Sequence, residues 1–283
     1  MSDTLRDACP ASLRPDVGFS TADFQRVRAL IHQHAGINLN EGKRAMVYSR
    51  LSRRVRETGH ASFASYLQWL ETQRIDVGTG EWQQFVNCLT TNLTAFFRED
   101  HHFQVLADAL RARSGQHLRI WCNAASTGEE AYSLAITALE TLGEHANVQI
   151  VATDIDTQVL ATAQRGVYTA GSPGLSSERL KRFFLRGTGS NAGFIRVRPE
   201  LARMIEFKPL NLMARRWQLG QPFDMVFCRN VMIYFDAATQ HQVLQQLHGQ
   251  MHPGGLLFVG HSENFTDAKT LFRLRGKTTY DII

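Results

Sequence analysis

The sequence predicts an α/β protein that combines a doubly wound sheet, an all-helical region and a small antiparallel insertion. From residue 20 to about residue 89, apolar side chains recur at spacings of three and four, which is typical of amphipathic helices. Beyond residue 90, short and continuously apolar runs alternate with helical stretches, as in a parallel sheet buried on both faces. In residues 194–198 (FIRVR) apolar and charged side chains instead alternate, which indicates an antiparallel strand with one solvent-exposed face.

The helical region is predicted to occupy residues 19–89, after a loose tail formed by residues 1–18. Ser20 or Thr21 can cap the first helix, because a side-chain hydroxyl accepts hydrogen bonds from the free N–H groups of a first turn. The later helices fit residues 43–57, which Gly59 follows, residues 62–72, and a stretch that begins near Glu81.

The sheet domain is predicted to occupy residues 90–283. Its clearest strands fit residues 118–122, 148–153, 223–228 and 256–260, and another strand is expected to end near residues 211–212. Helical stretches lie between most of the clear strands, at residues 129–142, 156–165 and 237–251. The insertion spans about residues 175–205 and begins with a short helix at residues 177–185. Residues 272–274 and 279–283 are expected to form an edge hairpin joined through Gly276.

The composition is that of a water-soluble globular protein. Of the 283 residues, 43% are hydrophobic and 20% are charged, which allows one or two domains with a sizeable core. The apolar runs are far too short to span a bilayer, and Asp3, Arg6 and Asp7 lie where a signal peptide needs an apolar stretch. We therefore expect a cytoplasmic protein that is not inserted in a membrane.

The cysteines and histidines do not indicate a metal centre. The four cysteines, at positions 9, 88, 122 and 228, are widely scattered, and the eleven histidines form no HExxH pattern. Cys122 and Cys228 end apolar runs, so buried reduced thiols are expected. The neighbouring pairs His32/His34 and His101/His102 are interpreted as surface histidines, and no metal is predicted.

Polar residues follow the predicted strands at the edge where open α/β sheets bind ligands. The first strand leads into the small residues 123–128, and the second leads into Asp154, a position at which a carboxylate can accept both hydroxyls of a ribose. Gly128 is the single glycine of the first turn, which argues against the GxGxxG pyrophosphate cradle of a dehydrogenase. The pattern predicts a nucleoside-cofactor site and leaves the cofactor open.

Four motifs carry a resemblance to a known family. They are residues 90–99 (TTNLTAFFRE), 125–130 (ASTGEE), 227–235 (FCRNVMIYF) and 260–265 (GHSENF). In this order they resemble the CheR family of chemotaxis receptor glutamate methyltransferases, and the likeness covers nearly the whole chain. Two positions depart from the family pattern: Asn123 stands where alanine is common, and Ala131 where proline is common.

The resemblance implies a Rossmann-like methyltransferase domain that uses S-adenosyl-L-methionine and releases S-adenosyl-L-homocysteine. Its substrates would be glutamate side chains of methyl-accepting chemotaxis receptors. The implied cofactor-binding residues are Asn92, Thr94, Arg98, Glu129, Asp154, Asn211, Leu212, Arg229 and Asn230. Arg98 and Tyr234 are the implied catalytic residues that handle the substrate. Without the resemblance, a local ion pair of Arg98 with Glu99 or Asp100 and core packing of Tyr234 would be preferred.

Two surfaces are predicted to dock the receptor. The helix at residues 43–57 is strongly basic, and its candidate docking residues are Lys43, Arg50, Arg53, Arg54 and Arg56. These cations would attract glutamate-rich methylation helices, although a solvated helix face is the simpler interpretation. A loop containing Arg186, Gly187, Gly189 and Gly193 resembles the family loop that tethers a pentapeptide at the receptor C-terminus; a flexible hairpin is the alternative.

Other functions fit the sequence less well. A non-catalytic S-adenosylmethionine-binding signalling module would share the cofactor pocket but would not need Arg98 and Tyr234. A nucleic-acid partner is not expected, since the isoelectric point of about 9.2 is borderline and residues 229–234 lack the aromatic and proline-rich motif of a base-modifying enzyme. We expect a monomer.

Overall fold

The computed structural model describes residues 18–73, 80–265 and 269–283. Residues 1–17 of the predicted N-terminal tail lie outside the described residues, and Cys9 is one of them. Among the residues that are described, no helix combines the length and the apolar character that crossing a bilayer would require.

The described residues form ten α-helices and ten strands. The helices are α1 Thr21–Ala35, α2 Arg44–Glu57, α3 Phe63–Thr72, α4 Gly80–Leu89, α5 His101–Ala112, α6 Glu129–Leu142, α7 Thr157–Arg165, α8 Ser177–Phe183, α9 Pro199–Ala202 and α10 Ala237–His248. The strands are β1 Leu118–Cys122, β2 Val148–Asp154, β3 Val167–Thr169, β4 Phe184–Arg186, β5 Phe194–Val197, β6 Ile205–Pro209, β7 Phe223–Cys228, β8 Met251–Val259, β9 Phe272–Gly276 and β10 Thr279–Ile282.

The first four helices pack around an apolar core of their own. Ser20 begins α1 with a reciprocal cap: its hydroxyl accepts from the Asp23 N–H at 3.0 Å, and the Asp23 carboxylate accepts from the Ser20 N–H at 2.9 Å. Tyr66 and Leu51 are fully buried between the helices. The sequence therefore predicted the helices correctly, apart from a 3₁₀ turn at Glu41–Lys43 that delays the start of α2 to Arg44.

The main sheet has seven strands in the order β6-β2-β1-β7-β8-β10-β9. The five strands from β6 to β8 are parallel, and β10 runs antiparallel to both β8 and β9. Successive β1 residues bury on opposite faces: Ile120 joins the core under α5 and α6, and Trp121 joins the core under α10. Because both faces of the sheet are covered, the predicted doubly wound α/β fold and its edge hairpin are confirmed.

Three predicted boundaries were wrong, and one helix was missed. The helix predicted at residues 237–251 ends at His248, because the following residues pair with β7: the Phe223 N–H donates to the Gln250 carbonyl at 2.8 Å, and Met251 already lies in β8. Strand β8 therefore starts before residue 256, and the helix predicted at residues 177–185 stops at Phe183, where β4 begins. Helix α5, which buries Phe103 on its apolar side, was missed.

The insertion forms a three-stranded antiparallel sheet in the order β3-β5-β4. Ile195 and Val197 are buried, whereas Phe194 and Arg196 are exposed, which confirms the alternation predicted for this segment. Strand β3 lies before the predicted start of the insertion at residue 175. Among the described strands β4 pairs only with β5, so one of its edges carries no strand.

Candidate active site

A cavity opens beyond the carboxyl ends of the parallel strands, between the sheet and the helical region. The helical region lines it with residues such as Ile37, Lys43 and Met46, and the loop before α5 contributes residues 90–94 and Arg98. The loops after β1, β2, β6 and β7 complete the wall. Of the residues implied by the family resemblance, the cavity is lined by Asn92, Thr94, Arg98, Asp154, Asn211, Leu212, Arg229, Asn230 and Tyr234.

Glu129 is the implied cofactor residue that does not line the cavity. Its carboxylate accepts a hydrogen bond from the Thr127 hydroxyl at 2.6 Å, and burial raises its pKa. The next residue, Glu130, lines the cavity instead. Sequence reasoning did not select Glu130, because two adjacent glutamates at a helix start give no sign of which one turns toward the ligand.

Asp154 ends β2 and is almost completely buried, at 8% exposure. Its two carboxylate oxygens accept backbone N–H groups of Ser126, at 2.8 Å, and Asp156, at 2.9 Å. Burial raises the pKa of Asp154 to about 6, although these backbone hydrogen bonds oppose the rise. Each carboxylate oxygen has a further lone pair, so Asp154 can still accept ribose hydroxyls.

The loop before α5 is fixed by a second acidic residue. The Asp156 carboxylate caps α7 through the Gln158 N–H at 2.9 Å, and it accepts from the Asn92 amide at 2.8 Å and the Thr90 hydroxyl at 2.7 Å. The Ser126 hydroxyl donates to the Asn92 carbonyl at 2.9 Å. Asp156 therefore positions this wall of the cavity rather than facing a ligand, a role that sequence reasoning did not find.

Arg229 is held in a buried ionic network. Its side chain is 0% exposed and lies 2.6 Å from the Glu130 carboxylate and 3.4 Å from that of Glu99. Burial raises the pKa of Glu130, and the positive charge of Arg229 opposes the rise. At Glu99, burial also favours the neutral form, but the hydrogen bond to His261 and the charge of Arg229 outweigh it and hold the pKa at about 2. The Arg229 guanidinium thus neutralises protein carboxylates.

Glu263 organises the loop that follows β7. Its carboxylate accepts the backbone N–H groups of Gly260, Asn230, Val231 and Met232, at 2.6 to 2.9 Å. Four hydrogen bonds to one buried carboxylate fix the backbone that carries two of the implied cofactor residues. The GHSENF motif was recognised in the sequence, but this positioning role was not.

Several non-glycine residues around the cavity adopt left-handed backbone conformations. Ser126 has φ 48°, Asn230 has φ 58° and Glu99 has φ 57°. Such conformations cost energy and concentrate at functional sites. Gly128 has φ 99°, and a Cβ there would lie 2.8 Å from the Ala163 Cβ, so only glycine fits this turn.

Arg98 and Tyr234 both line the cavity, and Tyr234 also packs against the apolar core under α10, as its simpler interpretation predicted. Among the described residues Arg98 forms no ion pair with Glu99 or Asp100; its guanidinium donates to the Leu93 carbonyl at 3.0 Å. Tyr234 is half-buried, and its phenol has no hydrogen-bond partner in the described part of the chain. Both polar groups remain available to a ligand.

The basic residues of α2 fall into two groups. Arg54 pairs with Glu81, whose side chain is only 8% exposed, and Arg50 donates to the Thr90 carbonyl at 2.6 Å. Arg54 therefore stabilises the helical region from within, and Arg50 ties that region to the loop before α5. The exposed cations are Lys43, in the 3₁₀ turn before α2, and Arg44, Arg53 and Arg56 of α2 itself; Arg53 also contacts Glu57 at 2.6 Å.

The glycines of the insertion loop serve its own turn. A Cβ on Gly187 would lie 2.1 Å from the Asn191 carbonyl oxygen, and Gly189 and Gly193 have φ 57° and 89°. Arg186 is exposed on strand β4, one edge of which carries no other described strand. The glycines thus shape a tight hairpin, while the free strand edge is the feature that can accept a peptide.

The histidines were predicted to lie at the surface, and His102 does not. Its ring is fully buried against Phe258, with its Nε2 2.9 Å from the Thr278 hydroxyl, because α5 packs on the sheet. Glu99, His101 and His102 bring possible ligand atoms within 4.8 Å of one another. The Arg229 guanidinium 3.4 Å from Glu99 would repel a cation, so the absence of a metal stays our prediction. Cys122 and Cys228 are buried free thiols, as expected.

The cavity suits an amino acid joined to a nucleoside. Asp154 offers a carboxylate for a ribose, Leu212 and Ile155 offer apolar surface for a base, and the amides of Asn92 and Asn230 offer donors and acceptors. The turn after β1 provides close approach through small residues but no triple-glycine cradle for a pyrophosphate. This donor set fits S-adenosylmethionine better than a dinucleotide.

Comparison with known proteins agrees with this geometry. Residues 92–280 match the CheR methyltransferase SAM-binding domain, and residues 22–90 match the CheR methyltransferase all-alpha domain. The chain is 50% identical to a chemotaxis protein methyltransferase of Escherichia coli (strain K12), over 93% of this chain and 92% of that one. It is 51% identical to the chemotaxis protein methyltransferase of Klebsiella aerogenes, over 96% and 93% of the two chains.

A solved glycopeptide N-methyltransferase complexed with sinefungin aligns with 60% of this chain and 52% of its own. Its TM-score of 0.35 and identity of 13% are too low to carry an argument. The two domain matches together span most of the chain, and the relatives share half of its residues over nearly their full lengths. The chain therefore belongs to the CheR family of chemotaxis methyltransferases, which use S-adenosylmethionine as the methyl donor.

Proposed function

We propose that this enzyme transfers the methyl group of S-adenosylmethionine to glutamate side chains of chemotaxis receptors, which become glutamate methyl esters. The observation that carries the proposal is the character of the cavity wall, where Arg98 and Lys43 contribute cations without a described carboxylate partner. Such a wall attracts an anionic side chain. The family membership and the named relatives support the same activity.

The reaction requires little proton transfer by the protein. The donor supplies an electrophilic methyl group on a sulfonium. A carboxylate oxygen forms a bond to the methyl carbon while the carbon–sulfur bond breaks, and the bonding electrons remain on sulfur as a neutral thioether. A free glutamate has a pKa of about 4.3, so the attacking oxygen is already ionised at neutral pH. No general base is needed.

The protein must instead align the carboxylate and exclude water from it. Arg98 can hold one carboxylate oxygen by a charge-assisted hydrogen bond, and the Tyr234 phenol can donate to the same oxygen. The other oxygen then stays free to attack. A tighter grip on both oxygens would lower their nucleophilicity, because negative charge is lost as the ester forms.

Two surfaces support receptor docking. The exposed cations Lys43, just before α2, and Arg53 and Arg56 of α2 can attract glutamate-rich methylation helices, and long-range attraction of this kind raises association rates. The free edge of β4, beside Arg186, can accept a C-terminal pentapeptide of the receptor as an added strand. Such a tether would raise the local substrate concentration without changing the chemistry. A monomer in the cytoplasm remains our expectation.

The direct test is transfer of radiolabelled methyl from S-adenosylmethionine to receptor-containing membranes, followed by mild alkali. A carboxyl methyl ester releases volatile methanol, whereas a methylated nitrogen keeps its label. Receptors whose methylation-site glutamates are changed to alanine are the matched control. Label that resists alkali, or that enters the control receptors equally, would contradict the proposed chemistry.

Arg98→Ala tests the substrate-handling role. Loss of one hydrogen bond to a charged group costs about 1.5–3 kcal/mol, so kcat/KM for receptor should fall about ten- to a hundred-fold. Calorimetric affinity for S-adenosylhomocysteine should change much less. Arg111→Ala is the control, because Arg111 is 62% exposed and, among the residues that the structure describes, its ion-pair partner is Asp108 on the same helix. Equal losses of turnover and cofactor affinity in Arg98→Ala would overturn the role.

A further inference from the structure

Leu93 is the most exposed large hydrophobic residue in the described part of the chain, at 80%. Isolated exposed leucines are common and need no partner. This one differs by its place, because it lines the cavity between Asn92 and Thr94, two implied cofactor residues. It therefore stands at the rim of the reaction site and not on a remote surface.

The backbone around Leu93 is held firmly in this arrangement. Its carbonyl accepts from the Arg98 guanidinium at 3.0 Å. The preceding residue, Asn92, is fixed on both its side chain and its carbonyl, through Asp156 at 2.8 Å and Ser126 at 2.9 Å. The loop thus presents an apolar side chain to solvent at a defined position. A pre-ordered apolar group loses little further freedom when it binds a partner.

A second exposed apolar residue lies in the loop after β7, which supplies part of the cavity wall. Ile233 is 49% exposed in the 3₁₀ turn Met232–Tyr234, and its neighbours Val231 and Tyr234 line the cavity. The cations Arg98 and Lys43 line the same cavity. The rim therefore combines apolar surface with positive charge. The complementary surface is an amphipathic helix that carries a glutamate beside an apolar stripe.

We infer that Leu93, with Ile233, forms an apolar lip that docks the apolar stripe of the receptor helix beside the glutamate being methylated. The inference rests on the proposed function and adds the substrate feature that the enzyme reads. Burial of the lip residues would hold the receptor helix against the cavity, and Arg98 would then bind the glutamate carboxylate. The lip would also cover the cavity mouth and exclude water from the reacting oxygen.

Leu93→Ser tests the lip. Burying a leucine side chain contributes at least about 1.4 kcal/mol, so KM for receptor should rise about ten-fold or more. The affinity for S-adenosylhomocysteine, measured by calorimetry, should stay at the wild-type value, as should the thermal midpoint. Leu93→Met keeps the apolar surface and should restore KM. Leu274→Ser, in the terminal hairpin and 58% exposed, is the matched control and should leave KM unchanged.

An unchanged KM in Leu93→Ser would overturn the inference. So would an equal loss of S-adenosylhomocysteine affinity, because Leu93 would then pack on the cofactor instead of the receptor. Failure of the wild-type enzyme to methylate receptor at all would instead defeat the proposed function. The wild-type measurement thus separates the two outcomes.

Discussion

Replacement of Arg229 by methionine probes the buried ionic network and gives a large, pH-dependent effect. The substitution keeps much of the side-chain volume but leaves the carboxylates of Glu130 and Glu99 without the cation 2.6 and 3.4 Å away. Breaking a buried ion pair by removing one partner costs about 3–5 kcal/mol. For a chain of this size that corresponds to a fall in the thermal midpoint of about 6–20 °C.

The loss of stability should depend on pH in a defined direction. Without Arg229, the pKa of Glu130, already raised by burial, rises further, so the folded chain takes up a proton more readily than the unfolded chain. The free energy of unfolding of the variant should therefore recover, relative to wild type, as the pH falls from mildly alkaline to mildly acidic. Urea denaturation at the two pH values measures the difference.

Two companion variants sharpen the test. Combining Arg229→Met with Glu130→Gln removes one unbalanced charge, so the double variant should be more stable than Arg229→Met alone. Arg111→Met breaks an exposed pair with Asp108 and should cost less than about 1 kcal/mol. A free energy of unfolding for Arg229→Met within about 0.5 kcal/mol of wild type, the range of ordinary surface substitutions, would contradict a structural role for this ion pair.

Two further perturbations address the cofactor and the receptor. Asp154→Asn should weaken S-adenosylhomocysteine binding at neutral pH. In the wild type, the affinity measured by calorimetry should fall as the pH drops below about 6, the pKa to which burial raises Asp154. The variant should show no such fall over the same pH range. The reverse trend in the wild type would contradict an ionised Asp154 in the complex. Arg53→Glu combined with Arg56→Glu should lower kcat/KM for receptor and flatten its salt dependence, whereas the exposed Arg111→Glu should not. Kinetics identical to wild type at low salt would exclude α2 as a docking surface.

The same raised pKa of Asp154 has a consequence for stability. The folded chain binds the proton of Asp154 more tightly than the unfolded chain does. Asp154 alone therefore makes folding less favourable as the pH rises from 3.8, the ordinary pKa of this side chain, to about 6, its pKa in the folded chain. The cost is complete above about pH 6, where the buried carboxylate is charged. A buried carboxylate that lowers the folding stability in this way fits a residue whose role is to bind a ligand.

Periodicity predicted the fold well because each element buries an apolar pattern of its own. The continuous runs of β1 and β7 and the spaced apolar residues of α1 could be assigned without tertiary information. Boundaries were less predictable where tertiary pairing decided them. The register of β7 with β8 draws Met251 out of the helix predicted there, and no local signal shows that choice.

The positions of polar residues after the strands, together with the four motifs, predicted most of the residues that line the cavity. The sequence could not predict the direction in which each polar side chain points. Glu129 and Glu130 are chemically identical neighbours, and only the buried position of Arg229 decides which of them is paired. Likewise, Arg54 was expected to dock the receptor from an exposed helix face, but it pairs with Glu81 of α4 inside the helical region.

The seam between the two halves of the molecule has a consequence for how the donor is held. The Asn211 amide donates to the His34 carbonyl at 2.7 Å, the Asn38 N–H donates to the Tyr234 carbonyl at 2.8 Å, and Ile37 forms part of the cavity wall. A donor bound in the cavity would contact both halves, so the hydrogen bonds between the halves help to set the affinity for the donor. Grafting the helices of a relative onto this sheet should therefore alter donor affinity, even with every strand-end residue unchanged.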